Sequence, residues 1–146
     1  MSRYTRLAIW FVFFLLAAVT IPAETADFES DPDFAQVRSV RLVHRGSGSW
    51  DVSVSVFHND EGWSHYAEAW QILDDSTGEL LEERILAHPH DTEQPFMRSL
   101  GGVRIPSDLS TVRIRAKCNV HGFGGRELVV ELPREDRRAG LEVTAE

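Results

Sequence analysis

The only cysteine of this 146-residue chain stands in Cys118-Asn119-Val120-His121-Gly122. A thiolate and an imidazole three residues apart can face one point across a tight loop, and both are good ligands for a transition metal. Histidines at 44, 58, 65, 88 and 90 offer enough imidazoles to complete such a site. A lone cysteine cannot close an internal disulfide, so its other reading is a free, semi-buried thiol beside a loop histidine. Which reading holds depends on the elements that must bring these side chains together.

The N-terminus sets the compartment. Arg3 and Arg6 precede the apolar run Leu7 to Val19, and small residues with a proline follow at Thr20 to Ala26. These are the three regions of a secretory signal peptide, with Ala23 or Ala26 as the last residue removed. Thirteen apolar residues fall short of the ~20 that cross a bilayer, although an uncleaved anchor would result if Ile21 to Ala23 extended the helix. No cysteine lies near the cleavage region to carry a bacterial lipid anchor. The expected location is periplasmic or secreted, without stable membrane insertion after cleavage. Removal of residues 1–23 leaves 13 basic against 23 acidic residues, a formal charge of −10. Such a surface repels nucleic acid and anionic membrane.

Three parts are expected after the signal segment: a flexible tail at 24–36, one domain at 37–133, and a flexible acidic tail at 134–146. Within the domain the dominant period is two. Trp50 to Phe57 alternates apolar and polar residues, as does Val112 to Ala116, and Leu128 to Leu132 reads as another strand. Further strands are expected at Val37 to Val43, Tyr66 to Leu73, Leu80 to Leu86 and Phe96 to Ile105. Asp74 to Gly78, Gly46 to Ser49 and Gly122 to Gly125 supply turns. No stretch keeps a 3.6-residue stripe. About seven short strands in about 100 residues point to an all-β fold, an immunoglobulin-like antiparallel β-sandwich. Trp50, Phe57, Trp63 and Trp70 are expected to fill much of its core.

The histidines fall at strand ends. His58 closes one strand, His65 precedes the next, and Cys118 and His121 follow the strand that begins at Val112. Loops at one end of a sandwich can converge, so these four could meet. His58, then His65-Tyr66-Ala67-Glu68-Ala69-Trp70, then Cys118 to Gly122, resembles the iron site of the superoxide reductases (the desulfoferrodoxin and neelaredoxin group). That family writes its last ligands as Cys-Asn-x-His-Gly, which Cys118 to Gly122 match, and the resemblance spans about Val52 to Leu132. It implies an immunoglobulin-like sandwich holding non-haem iron on four histidines and one cysteine, with an open position opposite the thiolate, and superoxide reduction fed by a periplasmic electron donor. The chain departs from the pattern where Asn59 replaces a proline, where the His58–His65 spacing is one residue longer, and where Ala69 is inserted. The fourth histidine has no clear counterpart; His44 stands upstream of His58 but closer than the family spacing implies. The expected ligand set is therefore His58, His65, Cys118 and His121, with His44 as the upstream candidate.

Imidazole and thiolate suit iron, and equally zinc or copper. Lys117 and Arg126 could form a cationic rim that offsets the acidic surface. His88 and His90 flank Pro89 in a loop constrained by Pro89 and Pro95; its polar side chains bond loop backbone, or the two histidines form a separate surface metal site or supply replacement ligands. A different class of function fits the same fold: a metal-free periplasmic adaptor, such as a protein partner in a sulfur-oxidation or redox system.

Overall fold

The computed structural model describes residue 31 and residues 33–135 and 137–146. The expected signal segment and most of the expected N-terminal tail lie outside the described residues. The fold is an all-β sandwich of two four-stranded antiparallel sheets. One sheet has the order β5-β2-β1-β8 and the other β4-β3-β6-β7, with β1 (Gln36–Gly46), β2 (Ser49–Phe57), β3 (Ala67–Asp74), β4 (Leu80–Ile85), β5 (Phe96–Arg104), β6 (Thr111–Cys118), β7 (Leu128–Glu131) and β8 (Glu142–Ala145).

The alternating sequences form strands because each has one face to bury. Trp50, Val52, Val54 and Val56 of β2 are fully buried, while Asp51 and Ser53 between them face outward. On β6, Val112, Ile114, Ala116 and Cys118 point inward in the same way. These two rows meet Val40 and Leu42 of β1 and Trp70 and Ile72 of β3 in one core. Each fully buried aliphatic or aromatic side chain stabilises the fold by about 1.5–3 kcal/mol. Trp70, on the third strand and wholly buried, occupies the place where immunoglobulin-like sandwiches carry their core tryptophan.

Three features differ from the sequence expectation. First, residues 137–146 are not a loose tail. Glu142 to Ala145 pair antiparallel with Val43 to Val40, and Arg41 grips Glu142 through two hydrogen bonds of 2.7 Å. Strand β8 satisfies the edge of β1 that would otherwise face water. Arg137 ties the approach to it, donating to the carbonyls of Pro133, Pro106 and Leu109. Second, the domain begins before residue 37, since Ala35 and Gln36 are buried. Third, Trp63 is 68% exposed and Phe57 only half-buried. Trp63 lies in an irregular loop, where alternation no longer dictates which side chains turn inward, and packs edge-on against Tyr66.

Strand register fixes what lies at each end. Gln36 pairs with Phe57, Val56 with Phe96, and Ala67 with Cys118. The start of β1, the end of β2, the starts of β3 and β5 and the end of β6 therefore share one end of the sandwich. The 58–66, 86–95 and 119–125 loops all emerge there.

Candidate metal centre

Cys118 is the last residue of β6 and keeps its strand's inward direction, so its Sγ is fully buried. The chain then turns back at once: Cys118 and Gly122 exchange two backbone hydrogen bonds, 3.0 and 2.9 Å. Gly122 closes this turn at φ 73°, a conformation that glycine adopts without steric cost. Val120 N–H points back at Cys118 Sγ at 3.4 Å, a donor aimed at the sulfur. The turn also places His121 Nδ1 3.7 Å from Sγ.

Asn119 joins this turn to the histidine loop. Its backbone N–H donates to Tyr66 O at 3.0 Å, and its side-chain oxygen accepts from Tyr66 N–H at 2.8 Å. His65, the neighbour of Tyr66, is thereby brought to His121, with His65 Nε2 3.2 Å from His121 Nδ1.

His58 enters from the opposite sheet and is fully buried. Its Nδ1 lies 2.6 Å from Asp60 Oδ1. Asp60 is buried too, and its carboxylate also accepts the backbone N–H groups of Ala67 at 3.0 Å and His90 at 2.6 Å. Burial alone would raise this carboxyl's pKa, but the hydrogen bonds from His58, His90 and Ala67 outweigh it and hold the carboxyl below the usual range. An ionised carboxylate only accepts, so His58 Nδ1 donates to Asp60, and Nε2 is left on the cluster side, 3.4 Å from the Asp33 carbonyl. This is the carboxylate–histidine arrangement that orients ligating imidazoles in metal sites.

The ligand atoms of His58, His65 and Cys118 all lie within 4.8 Å of one another. Atoms bonded to one ion at ~2.0–2.3 Å stand roughly 3–4 Å apart, so the His65–His121 and Cys118–His121 distances fit a shared ion. The donor set fits iron, zinc or copper alike. One wall of the site is closed by His58 and Cys118, and the other is open at the exposed His121.

The remaining histidines take other roles. His44 is not part of the cluster. It lies eight residues along β1 from the site end, roughly 26 Å away at ~3.3 Å per residue. Its ring packs on Trp50 at 4.7 Å and its Nδ1 meets Arg138 O at 3.2 Å. His90 and His88 stand behind Asp60, not at the ligand face. His90 stacks on Phe96 at 3.8 Å, and Gln94 bridges the loops by accepting from His58 N–H and donating to His90 O. The constrained loop thus braces the first one. Lys117 is held by Glu68 at 2.5 Å, so its charge is already matched.

Asp33 is the residue that sequence reasoning missed. Its carboxylate forms a second group with His65 and His121 in which all ligand atoms lie within 4.8 Å. Its carbonyl oxygen stands 3.1 Å from His121 Nδ1 and 3.4 Å from His58 Nε2. It falls in a short acidic run with no periodicity, and only the packing of Phe34 and Ala35 reveals its place.

No family model matches the chain, and no solved structure matches it significantly. A protein of Halomicrobium mukohataei described as "Putative lipoprotein" is 34% identical over 116 residues, covering 80% of this chain and 56% of that protein. The chain thus spans little more than half the length of this relative. Among the described residues, no helix is long and apolar enough to cross a membrane.

Proposed function

We propose that this chain is an exported β-sandwich protein that holds non-haem iron on His58, His65, Cys118 and His121, and that it reduces superoxide as the superoxide reductases it resembles do. The observation that carries the reading is that ligand atoms of His58, His65 and Cys118 lie within 4.8 Å of one another while His121 Nδ1 stands 3.2 Å from His65 Nε2 and 3.7 Å from Cys118 Sγ, all drawn from three separate segments, with Asp60 accepting from His58 Nδ1. Iron bound there would pass one electron to superoxide, which two protons convert to hydrogen peroxide, and an external one-electron donor would restore the ferrous ion.

The chain's own residues define the conditions for that chemistry. Asp60 orients His58, the buried end of β6 shields Cys118 from water, and the Val120 N–H points at the Cys118 sulfur. Exposed His121 leaves an opening for a small anion. Export is supported by the apolar N-terminal run with its flanking arginines, and by the description of the Halomicrobium relative.

The competing reading is a metal-free exported adaptor. The relative's description is compatible with it, and Trp63 and Val120, which are 68% and 58% exposed beside the site, offer apolar contact surface. Superoxide consumption by iron-loaded protein, supplied with an external reductant, separates the two. The enzyme reading expects turnover that is lost in both Cys118→Ala and His121→Ala. Absence of turnover in protein that carries its iron would overturn it.

A further inference from the structure

We propose that His88 and His90 form a second metal site, separate from the Cys118 centre, for a divalent ion of the zinc(II) and copper(II) class. Neither imidazole is used by the chemistry above, and the proposal does not depend on what the Cys118 centre holds.

The case begins with an anomaly. The His90 side chain is 2% exposed, yet neither of its ring nitrogens has a hydrogen-bond partner among the described residues. A buried polar group left unsatisfied costs about 1–3 kcal/mol. The ring is not placed to turn and find partners, because it stacks on Phe96 at 3.8 Å with 7° between the planes. The backbone is held on both sides: His90 N–H donates to Asp60 Oδ2 at 2.6 Å, and His90 O accepts from Glu93 N–H and the Gln94 amide, each at 3.2 Å. This imidazole is therefore fixed before any ligand arrives.

Beside it stands a second one. The ring of exposed His88 has its centre 4.6 Å from that of His90. Two imidazoles on one ion at ~2.0–2.1 Å, with roughly 90–110° between them, have ring centres roughly 4.4–5.2 Å apart. Pro89 between them stiffens the backbone that sets this spacing. His88 Nδ1 lies 2.9 Å from the Pro89 carbonyl, which only accepts, so Nδ1 donates there and Nε2 is left for a ligand. Asp60 Oδ2, 3.9 Å from His90 Nδ1, favours a proton on that nitrogen and leaves Nε2 again. Burial, aided by the charges of Arg98 and His88, holds His90 below the ordinary histidine value and so in the neutral form that ligates. Glu93 pairs with Arg98 at 2.9 Å, and among the described residues no thiol or carboxylate makes a three-ligand group with the pair. Two imidazoles completed by water select borderline ions, copper(II) above zinc(II), over magnesium or calcium.

Zinc chloride titration of the untagged mature protein, followed through the histidine ring nitrogens by NMR, tests this without oxidising Cys118. The Nε2 resonances of His88 and His90 should move together with one zinc dependence. In His88→Ala, which trims an exposed side chain, zinc should bind His90 more weakly by more than the about 10–100-fold that follows loss of an outer partner alone. His58, His65 and His121 report the other centre in the same spectra, and their response should be the same in His88→Ala as in wild type. A His90 ring that zinc leaves unmoved, or whose response survives His88→Ala unchanged, would overturn the proposal. Movement of His88 and His90 while His58, His65 and His121 stay still would uphold this site and remove the Cys118 centre.

Discussion

Asn119 and Tyr66 clasp one another twice, the Asn119 backbone N–H on the Tyr66 carbonyl and the Tyr66 N–H on the Asn119 side-chain oxygen. Cys118 and His65 are the immediate neighbours of these residues, so one pair of hydrogen bonds sets the separation between the loop that carries the thiol and the loop that carries an imidazole. The Asn119 amide also reaches the carbonyls of Trp63 and Ser64 at 3.4 Å.

Asn119→Ala should therefore loosen the site more than the fold. Leaving Tyr66 N–H without its acceptor costs about 1–3 kcal/mol. Asn119→Asp retains the acceptor and should recover most of the lost stability. Thermal melts of the three proteins check this; an alanine variant as stable as the parent would contradict it.

Asp60→Asn addresses the orientation of His58. An amide accepts on one atom only, whereas the Asp60 carboxylate serves His58, Ala67 and His90 together. Metal affinity should drop about 10–100-fold, the usual cost of losing an outer partner of a ligating imidazole. Competition against a chromophoric chelator measures it, and an unchanged affinity would show that His58 is not a ligand oriented by Asp60.

Gly125→Ala probes the strap before β1. The added Cβ overlaps the Ala35 carbonyl, so backbone must move. Overpacking of this kind costs about 1–3 kcal/mol. The urea midpoint should fall, and amide exchange should rise in residues 33–37. Exchange that rises uniformly instead would mean that the strap and the sandwich open as one unit.

At the opposite end of the domain, Asp74 gives a pH prediction. Hydrogen bonds from the Ser76 side chain and backbone hold its carboxyl below the usual value, against a smaller opposing effect of burial. A depressed folded-state pKa contributes stability above the unfolded value, and that contribution is lost as pH falls through the folded value. Wild type should exceed Asp74→Asn in stability at pH 7, with the gap closing below about pH 4. A gap that stays constant down to pH 2.5 would contradict this assignment.

Much of this architecture was legible because β2 and β6 bury one face each, which writes alternation directly into the chain. Strand β8 was not: Glu142-Val143-Thr144-Ala145 is short and charged at its start, and only the unpaired edge of β1 calls it into the sheet. The Cys118–His121 pair was legible because a five-residue turn makes it local. His44 was misjudged because order along the chain does not say which end of a strand a residue occupies. Asp33 was invisible for a different reason, since its position depends on two glycines ninety residues away that leave room for Phe34 and Ala35.

The central claim is that one ion is shared by His58, His65, Cys118 and His121. The most direct measurement is the metal content and visible spectrum of the untagged mature protein from the periplasm, beside Cys118→Ala. Stoichiometric iron with a thiolate-to-Fe(III) band that disappears in the variant is the predicted result. Metal-free protein whose thiol titrates freely, with a variant indistinguishable from it, would contradict the account.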